Sequence, residues 1–252
     1  MEAKVDGRDR SDAVNGGKRP RVQKNVTAAI GADICSERYP AGSTLPRESD
    51  LCVTYGVSRT VIRESFKILE TKGLVRSRPR VGTIICETEE WNLLDSQILE
   101  WIGPRILRSD LLDAILEARR TVEPAAAELA AQRATAEDIA GLERAWNSMR
   151  VSEGNSEAFT NADTLFHQLL LNASHNRVFR QLSSIIHAAL RYALQTSNEA
   201  TAHHDEALAV HRELIEALRM RNGIAARDCS NRMLDLALRD ITIAKRRAMM
   251  AD

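Results

Sequence analysis

Apolar positions recur at helical spacing from Val22 to Glu37, with Val22, Val26, Ala29, Ile30 and Ile34 falling on one stripe, and predict a first helix there. Tyr39-Pro40-Ala41-Gly42 ends it through turn chemistry and the missing proline N–H. A short helix is predicted from Arg47 to Tyr55, then a glycine turn at Gly56, then a third helix with Ser58 as its N-cap and Gly73 just past its end. Leu74–Arg78 and Thr83–Cys86 flank Arg80-Val81-Gly82 and predict a small β-hairpin. Beyond Glu87 the pattern is helical almost throughout. Stripes over about 110–133, 136–151, 157–173, 177–197, 204–221 and 224–248 predict six helices. Thr135 with Asp138, and Asn176, supply capping residues, and Asn222-Gly223 is expected to close a helix. Six single-faced helices must bury their stripes on one another, so an antiparallel bundle is expected.

The fold class is therefore mainly α: an N-terminal winged helix-turn-helix with a small β-hairpin wing, and a C-terminal antiparallel all-α bundle of about six helices. The expected organisation is a disordered basic arm over 1–20, a DNA-binding domain over 21–87, a linker over 88–108 and a helical domain over 109–248. Trp91, Leu94, Leu99 and Trp101 suggest that the linker packs on something.

Composition narrows the class further. The 252 residues are 44% hydrophobic and 28% charged with zero net charge, which supplies a core and excludes a disordered chain. No apolar run approaches the ~20 residues of a membrane helix, and residues 1–20 lack the apolar stretch of a secretory signal. Cys35, Cys52, Cys86 and Cys229 are far apart with no C-x-x-C pair, so a reducing cytoplasm is the plain expectation. The zero net charge is uneven. Residues 1–86 carry 16 Lys and Arg against 10 Asp and Glu, whereas the remainder carries 19 against 25. The basic end suits a polyanion.

Two short helices, a tight turn and a hairpin form a plan whose second helix enters the DNA major groove. Ser58, Arg59, Thr60 and Arg63 stand in its first turns, and Arg59 and Arg63, four apart, project from one face. One arginine can grip a guanine edge while the other grips phosphate. Arg47 ahead of the turn, and Arg76, Arg78 and Arg80 of the wing, extend the candidate surface toward the flanking backbone or minor groove. On spacing alone the alternative is a solvated helix face.

In the acidic part Asp163 and His167 share one helix face, and His211 lies on a later helix that can fold back to meet them. One carboxylate and two imidazoles make a plausible shell for zinc, nickel or manganese; the alternative is a surface hydrogen bond between Asp163 and His167. His175, His203 and His204 fall near helix ends, and His187 reads as a core histidine. Nothing beside the trio supplies a separate general base or oxyanion donors, so an enzyme is not expected.

The string Tyr39-Pro40-x-Gly42-x-x-Leu45-Pro46-x-Glu48, with Leu51, Gly56-Val57-Ser58-Arg59, Val61-x-Arg63-Glu64, Leu69 and Lys72-Gly73-Leu74-Val75, resembles the GntR-superfamily winged helix. The resemblance implies DNA contact through Ser58, Arg59, Thr60 and Arg63. Ser49 and Arg80 depart from it, standing where an arginine and a wing glycine are usual. Downstream, Glu117-x-Arg119-x-x-x-Glu123, Ala130-Ala131, Ala134-Thr135-x-Glu137-Asp138, Asp163-x-x-Phe166-His167 and His211 resemble the FCD ligand-binding domain of the FadR subfamily over about 110–238. That resemblance implies a divalent metal on Asp163, His167 and His211, with Met233 in place of a fourth, histidine ligand; a thioether there weakens binding or opens a coordination position. Alternatively the polar trio holds the effector directly. It also implies an effector pocket with Arg119, whose guanidinium either grips a small carboxylate or pairs internally with Glu117, Glu123 or another acid. Trp91-Asn92-Leu93-Leu94-Asp95, Leu99-Glu100-Trp101, Ser174-His175-Asn176 and Met233 are similar to the galactonate-operon repressor branch. This branch implies an aldonate effector such as galactonate. The implied protein is a homodimeric transcription regulator that binds double-stranded operator DNA, most often as a repressor of a sugar-acid operon; another carboxylate such as lactate, pyruvate or a dicarboxylate is the alternative effector.

Overall fold

The computed structural model describes residues 18–108, 110–152, 154–183 and 204–250. The chain forms two compact units, Met1–Asn92 and Leu93–Asp252. Most of the expected arm, the greater part of the helix expected over 177–197, and His187 and His203 lie outside the described residues.

The first unit contains helix α1 (Lys18–Cys35), α2 (Glu48–Tyr55), α3 (Arg59–Thr71) and strands β1 (Val75–Arg78) and β2 (Gly82–Ile85). Helix α1 starts four residues before the apolar stripe, because Pro20 falls in its first turn, where a missing N–H removes no intrahelical bond. Val26, Ile30 and Ile34 of α1 are buried with Leu51 of α2, Ile62 and Leu69 of α3, and Leu74, Val75 and Ile85 of the hairpin. The strands pair antiparallel with Val75 opposite Ile85 and Arg78 opposite Gly82. A third extended piece joins the sheet: Thr44 bridges Ile84, and the Leu45 amide donates to the Thr83 carbonyl at 2.8 Å.

Two glycines hold left-handed backbone at the helix ends, Gly56 at φ +63° and Gly73 at φ +74°. Ser58 occupies the N-cap position of α3, but its side chain makes no capping hydrogen bond. At the wing tip Arg80 itself adopts φ +65°.

The 88–108 stretch is divided between the units. In the first, the Trp91 indole N–H donates to the Cys86 carbonyl and the Asn92 amide to the Lys72 carbonyl. In the second, Asp95 caps α4 (Ser96–Ile102), which runs into a 3₁₀ segment, Gly103–Arg108.

The second unit is a helical bundle of α5 (Asp110–Arg133), α6 (Ala136–Val151), α7 (Ser156–Ala173), α8 (Asp205–Arg219) and α9 (Gly223–Met250), with a further helical turn over 177–183. Thr135 and Asp138 form the capping box of α6, and Asn176 caps the turn at 177 through the Val178 amide. One expectation is corrected: Asn222-Gly223 does not close α8. Arg221 takes the left-handed position at φ +54°, Asn222 accepts from the Ala225 amide as a cap, and Gly223 opens α9. An asparagine-glycine pair suits either helix end, and the tight connection decides for the start. Ala127, Ala130, Leu142, Phe159, Phe166, Leu170, Val210, Leu214 and Met233 belong to one apolar core. Among the described residues no helix is long and apolar enough to cross a membrane.

Candidate functional site: an exposed basic face and a buried imidazole-carboxylate centre

In the first unit Ser58, Arg59 and Thr60 are exposed together at the start of α3. Because Ser58 caps nothing, its hydroxyl and the first amides of α3 remain available to an anion. Arg63 follows one turn on, exposed and ion-paired to Glu48 at the start of α2, Nε to Oε2 being 2.9 Å. Arg47 is exposed at the N-cap position of α2. Arg78 at the end of β1 and Arg80 at the wing tip are exposed, whereas Arg76 is tied to Glu90 at 2.9 Å. The face thus combines short hydroxyl donors, a helix start and several arginines, the chemistry that grips phosphate and reads base edges.

In the second unit three helices meet at a polar centre. Arg119 and Glu123 are one turn apart on α5, Asp163 and His167 one turn apart on α7, and His211 lies on α8. Asp163, His167 and His211 are buried, at 7%, 5% and 3% exposure, and Arg119 and Glu123 have none. One donor atom from each of Asp163, His167 and His211 lies within 4.8 Å of the others. Asp163 Oδ1 is 3.1 Å from His211 Nε2 and 3.6 Å from His167 Nε2. The Phe166 ring packs edge-on against His211, with centroids 4.7 Å apart, and limits its rotation.

The remaining ring nitrogens settle the tautomers. His211 Nδ1 lies 2.6 Å from the Ala207 carbonyl, which can only accept, so Nδ1 carries hydrogen. His167 Nδ1 lies 2.7 Å from Glu123 Oε2, and Glu123 is held ionised. Burial disfavours its charge, but Arg119 and His167 outweigh that and hold its pKa at about 2. Asp163 is likewise held at about 2 against burial, by His211, His167 and Arg119. With hydrogen on Nδ1, a neutral ring would turn its Nε2 lone pair toward Asp163, whereas the lowered pKa of Asp163 is tied to a hydrogen bond from His211. Acceptor facing acceptor at 3.1 Å requires a cation or a proton between them, and His211 Nε2 is buried without a hydrogen-bond partner. The donor set, its spacing and the fixed tautomers fit a divalent ion.

The Arg119 guanidinium donates through Nε and Nη2 to Glu123, the internal pair being one of the two expectations for it. Its Nη1 is buried without a partner among the described residues. Met233 is buried in the apolar core of this unit. His175 is half-exposed and bonds Asp138 at 2.9 Å, and His204 stacks on Phe159, so neither belongs to the centre. Glu123 as partner of His167 and Glu48 as partner of Arg63 escaped the sequence reading. Each bond crosses between helices, and the sequence marks only the same-helix spacing of Arg119 and Glu123.

Comparison with known proteins agrees with both halves. Residues 22–85 match the family described as bacterial regulatory proteins, gntR family, and residues 114–236 match the FCD domain. The galactonate operon transcriptional repressor of Escherichia coli (strain K12) is 34% identical over 210 residues, 83% of this chain and 92% of that protein. The Uxu operon transcriptional regulator of the same organism is 31% identical over 173 residues, 64% of this chain and 62% of that protein. The solved structure of Lar, which controls expression of the Listeria monocytogenes agr system, shares the fold: TM-score 0.59 at 17% identity, over 89% of this chain and 96% of that one. With a DNA-binding winged helix, an FCD domain and a 34% identical repressor covered almost end to end, the chain belongs to the GntR family of transcriptional regulators, in its FCD-domain group.

Proposed function

We propose that this regulator is a cytoplasmic homodimeric repressor of a sugar-acid catabolic operon, released from its operator by an aldonate such as galactonate. The observation that carries the sensing site is the buried centre of Asp163, His167 and His211, which Glu123 links to a buried Arg119 whose Nη1 has no partner among the described residues. The identity to a galactonate operon repressor supports the choice of effector. Asp163, His167 and His211 would hold a zinc, nickel or manganese ion, which would supply a Lewis-acid anchor for carboxylate and hydroxyl oxygens. Arg119 Nη1 offers a charged donor to the same carboxylate, and Met233 leaves the ion without a fourth protein donor of the imidazole type.

Ser58, Arg59, Thr60 and Arg63 enter the major groove, while Arg47, Arg78 and Arg80 meet the flanking backbone. Two copies set their recognition helices about 34 Å apart on a pseudo-palindrome. Effector that binds the DNA-incompetent arrangement better shifts the population toward it, with coupling of about 1–3 kcal/mol.

A mobility-shift assay on the chain's own upstream region tests this. Galactonate at millimolar concentration releases the complex, while lactate, pyruvate and a dicarboxylate do not; release by one of these instead, with galactonate inert, overturns the aldonate assignment. Arg59→Ala and Arg63→Ala at full operator affinity overturn the recognition-helix assignment. Sedimentation as a monomer at the assay concentration removes the dimer.

A further inference from the structure

The segment Trp91-Asn92-Leu93-Leu94-Asp95 divides its bonds between the two units. In the first unit it is tied around the end of α3 and the base of the hairpin. The Asn92 amide donates to the Lys72 carbonyl at 2.9 Å, and the Trp91 indole N–H to the Cys86 carbonyl at 3.2 Å. Just ahead of them, Arg76 Nη1 donates to both oxygens of Glu90, at 2.9 and 3.2 Å. Gly73, in left-handed backbone, lies so close to the Glu90 carbonyl that no side chain fits between them. In the second unit Asp95 accepts from the Gln97 amide at 3.0 Å and starts α4, whose Ile98 and Leu99 are fully buried.

Leu93 and Leu94 are all that remains between the last amide bonded to the winged helix and the cap of α4. From Asn92 to Asp95 the chain reaches at most ~11 Å. Detached as far back as Cys86, it would reach ~30 Å. Composition agrees with a stiff connection: residues 86–102 contain no glycine or proline, whereas flexible tethers are rich in glycine and serine. Arg76 is also withdrawn from the basic face to hold this segment.

The length of such a tether matters to a protein with two reading heads. Once one head of a dimer is bound, the other meets its half-site at an effective concentration set by the length and stiffness of what joins them. A long loose tether accepts many half-site spacings, and a short docked one accepts few. We propose that the docked segment Glu90–Asp95 is a specificity-determining element for DNA: it fixes the half-site spacing that the protein accepts. Trp91 and Asn92 are positioning residues, acting through the backbone that they hold. The proposal rests on the homodimer reading above and on no particular effector.

The test uses full-length protein without effector and a duplex that the wild type selects from a randomised pool. Two further duplexes carry a single half-site, or two base pairs added between the half-sites, which shifts one half-site by about 7 Å and turns it by about 70°. The wild type is expected to lose about 100-fold in affinity on the added spacer. Gly-Ser-Gly-Ser inserted between Leu93 and Leu94 removes none of the bonds above and is expected to cut that loss to less than about 5-fold. Trp91→Ala, which loosens the docking, reduces the loss in the same direction. Both variants keep wild-type affinity for the single half-site. The same insertion at exposed Gly154, between α6 and α7, leaves the spacing selectivity of the wild type.

Undiminished selectivity in either variant overturns the proposal, as does a wild type that tolerates the added spacer. Loss of single-site affinity in the insertion variant also overturns it, because the segment then maintains the winged helix itself. Failure of the homodimer reading is distinguishable: the wild type then sediments as a monomer or selects a duplex with one half-site, and the proposal falls with that reading.

Discussion

Glu123 Oε2 accepts a hydrogen bond from His167 Nδ1 at 2.7 Å, joining α5 to α7 in the interior of the bundle. The bond leaves His167 Nε2 as a bare lone pair aimed at Asp163. Arg119 stands behind Glu123, so the interior chain runs from guanidinium to carboxylate to imidazole to carboxylate. A second carboxylate behind a ligating imidazole fixes its ring and raises its basicity.

For the proposed ion site on Asp163, His167 and His211, removing that support should weaken ion binding without displacing the three side chains. Glu123→Gln is expected to lower affinity for added zinc or nickel about 10–100-fold. Competition titration against a chromogenic chelator measures it.

The same residue neutralises a buried guanidinium. Glu123→Ala strands the charge of Arg119 at zero exposure and should cost about 3–5 kcal/mol. Replacing both residues, as in Arg119→Met with Glu123→Leu, should cost much less, because no uncompensated charge remains. Urea denaturation of the three proteins gives both comparisons.

Acid should expose the centre before the rest of the bundle. Glu123 and Asp163 each titrate at about 2 in the folded chain, against ordinary values of 4.5 and 3.8. Folding lowers both pKa values, so their contribution is complete above the ordinary values. It is lost as pH falls from about 4.5 to about 2. The melting temperature should decline through that window, and more gently in Glu123→Gln.

Two left-handed positions respond in opposite directions. At Gly73 a Cβ would come 2.2 Å from the Glu90 carbonyl oxygen, against backbone that has no room to shift freely. Gly73→Ala should destabilise by about 1–3 kcal/mol. Arg80 carries its side chain at φ +65°, so Arg80→Gly should raise stability by about 0.5–1 kcal/mol while weakening DNA binding. Thermal melts and anisotropy titrations separate the two effects.

Local rules made much of the architecture readable. Gly56 and Gly73 at helix ends, the Thr135–Asp138 capping box and the two-stranded hairpin each depend on a few adjacent residues, and each occurs where its chemistry places it. Asp163 and His167 were legible as a pair for the same reason, since four residues make one helical turn. Asn222-Gly223 shows the limit: the pair allows two helix ends, and only the packing of α8 against α9 selects one.

The sequence by itself determined the element types, the basic residues at the start of α3 and the candidate donors, because periodicity and capping act over a turn or less. Tertiary structure alone decided which of those donors meet. The bonds from Glu123 to His167 and from Glu48 to Arg63 span 44 and 15 residues, and His211 reaches Asp163 from another helix. Such pairings depend on how whole helices rotate and slide against one another, a choice made by the summed burial of their apolar faces rather than by any local signal.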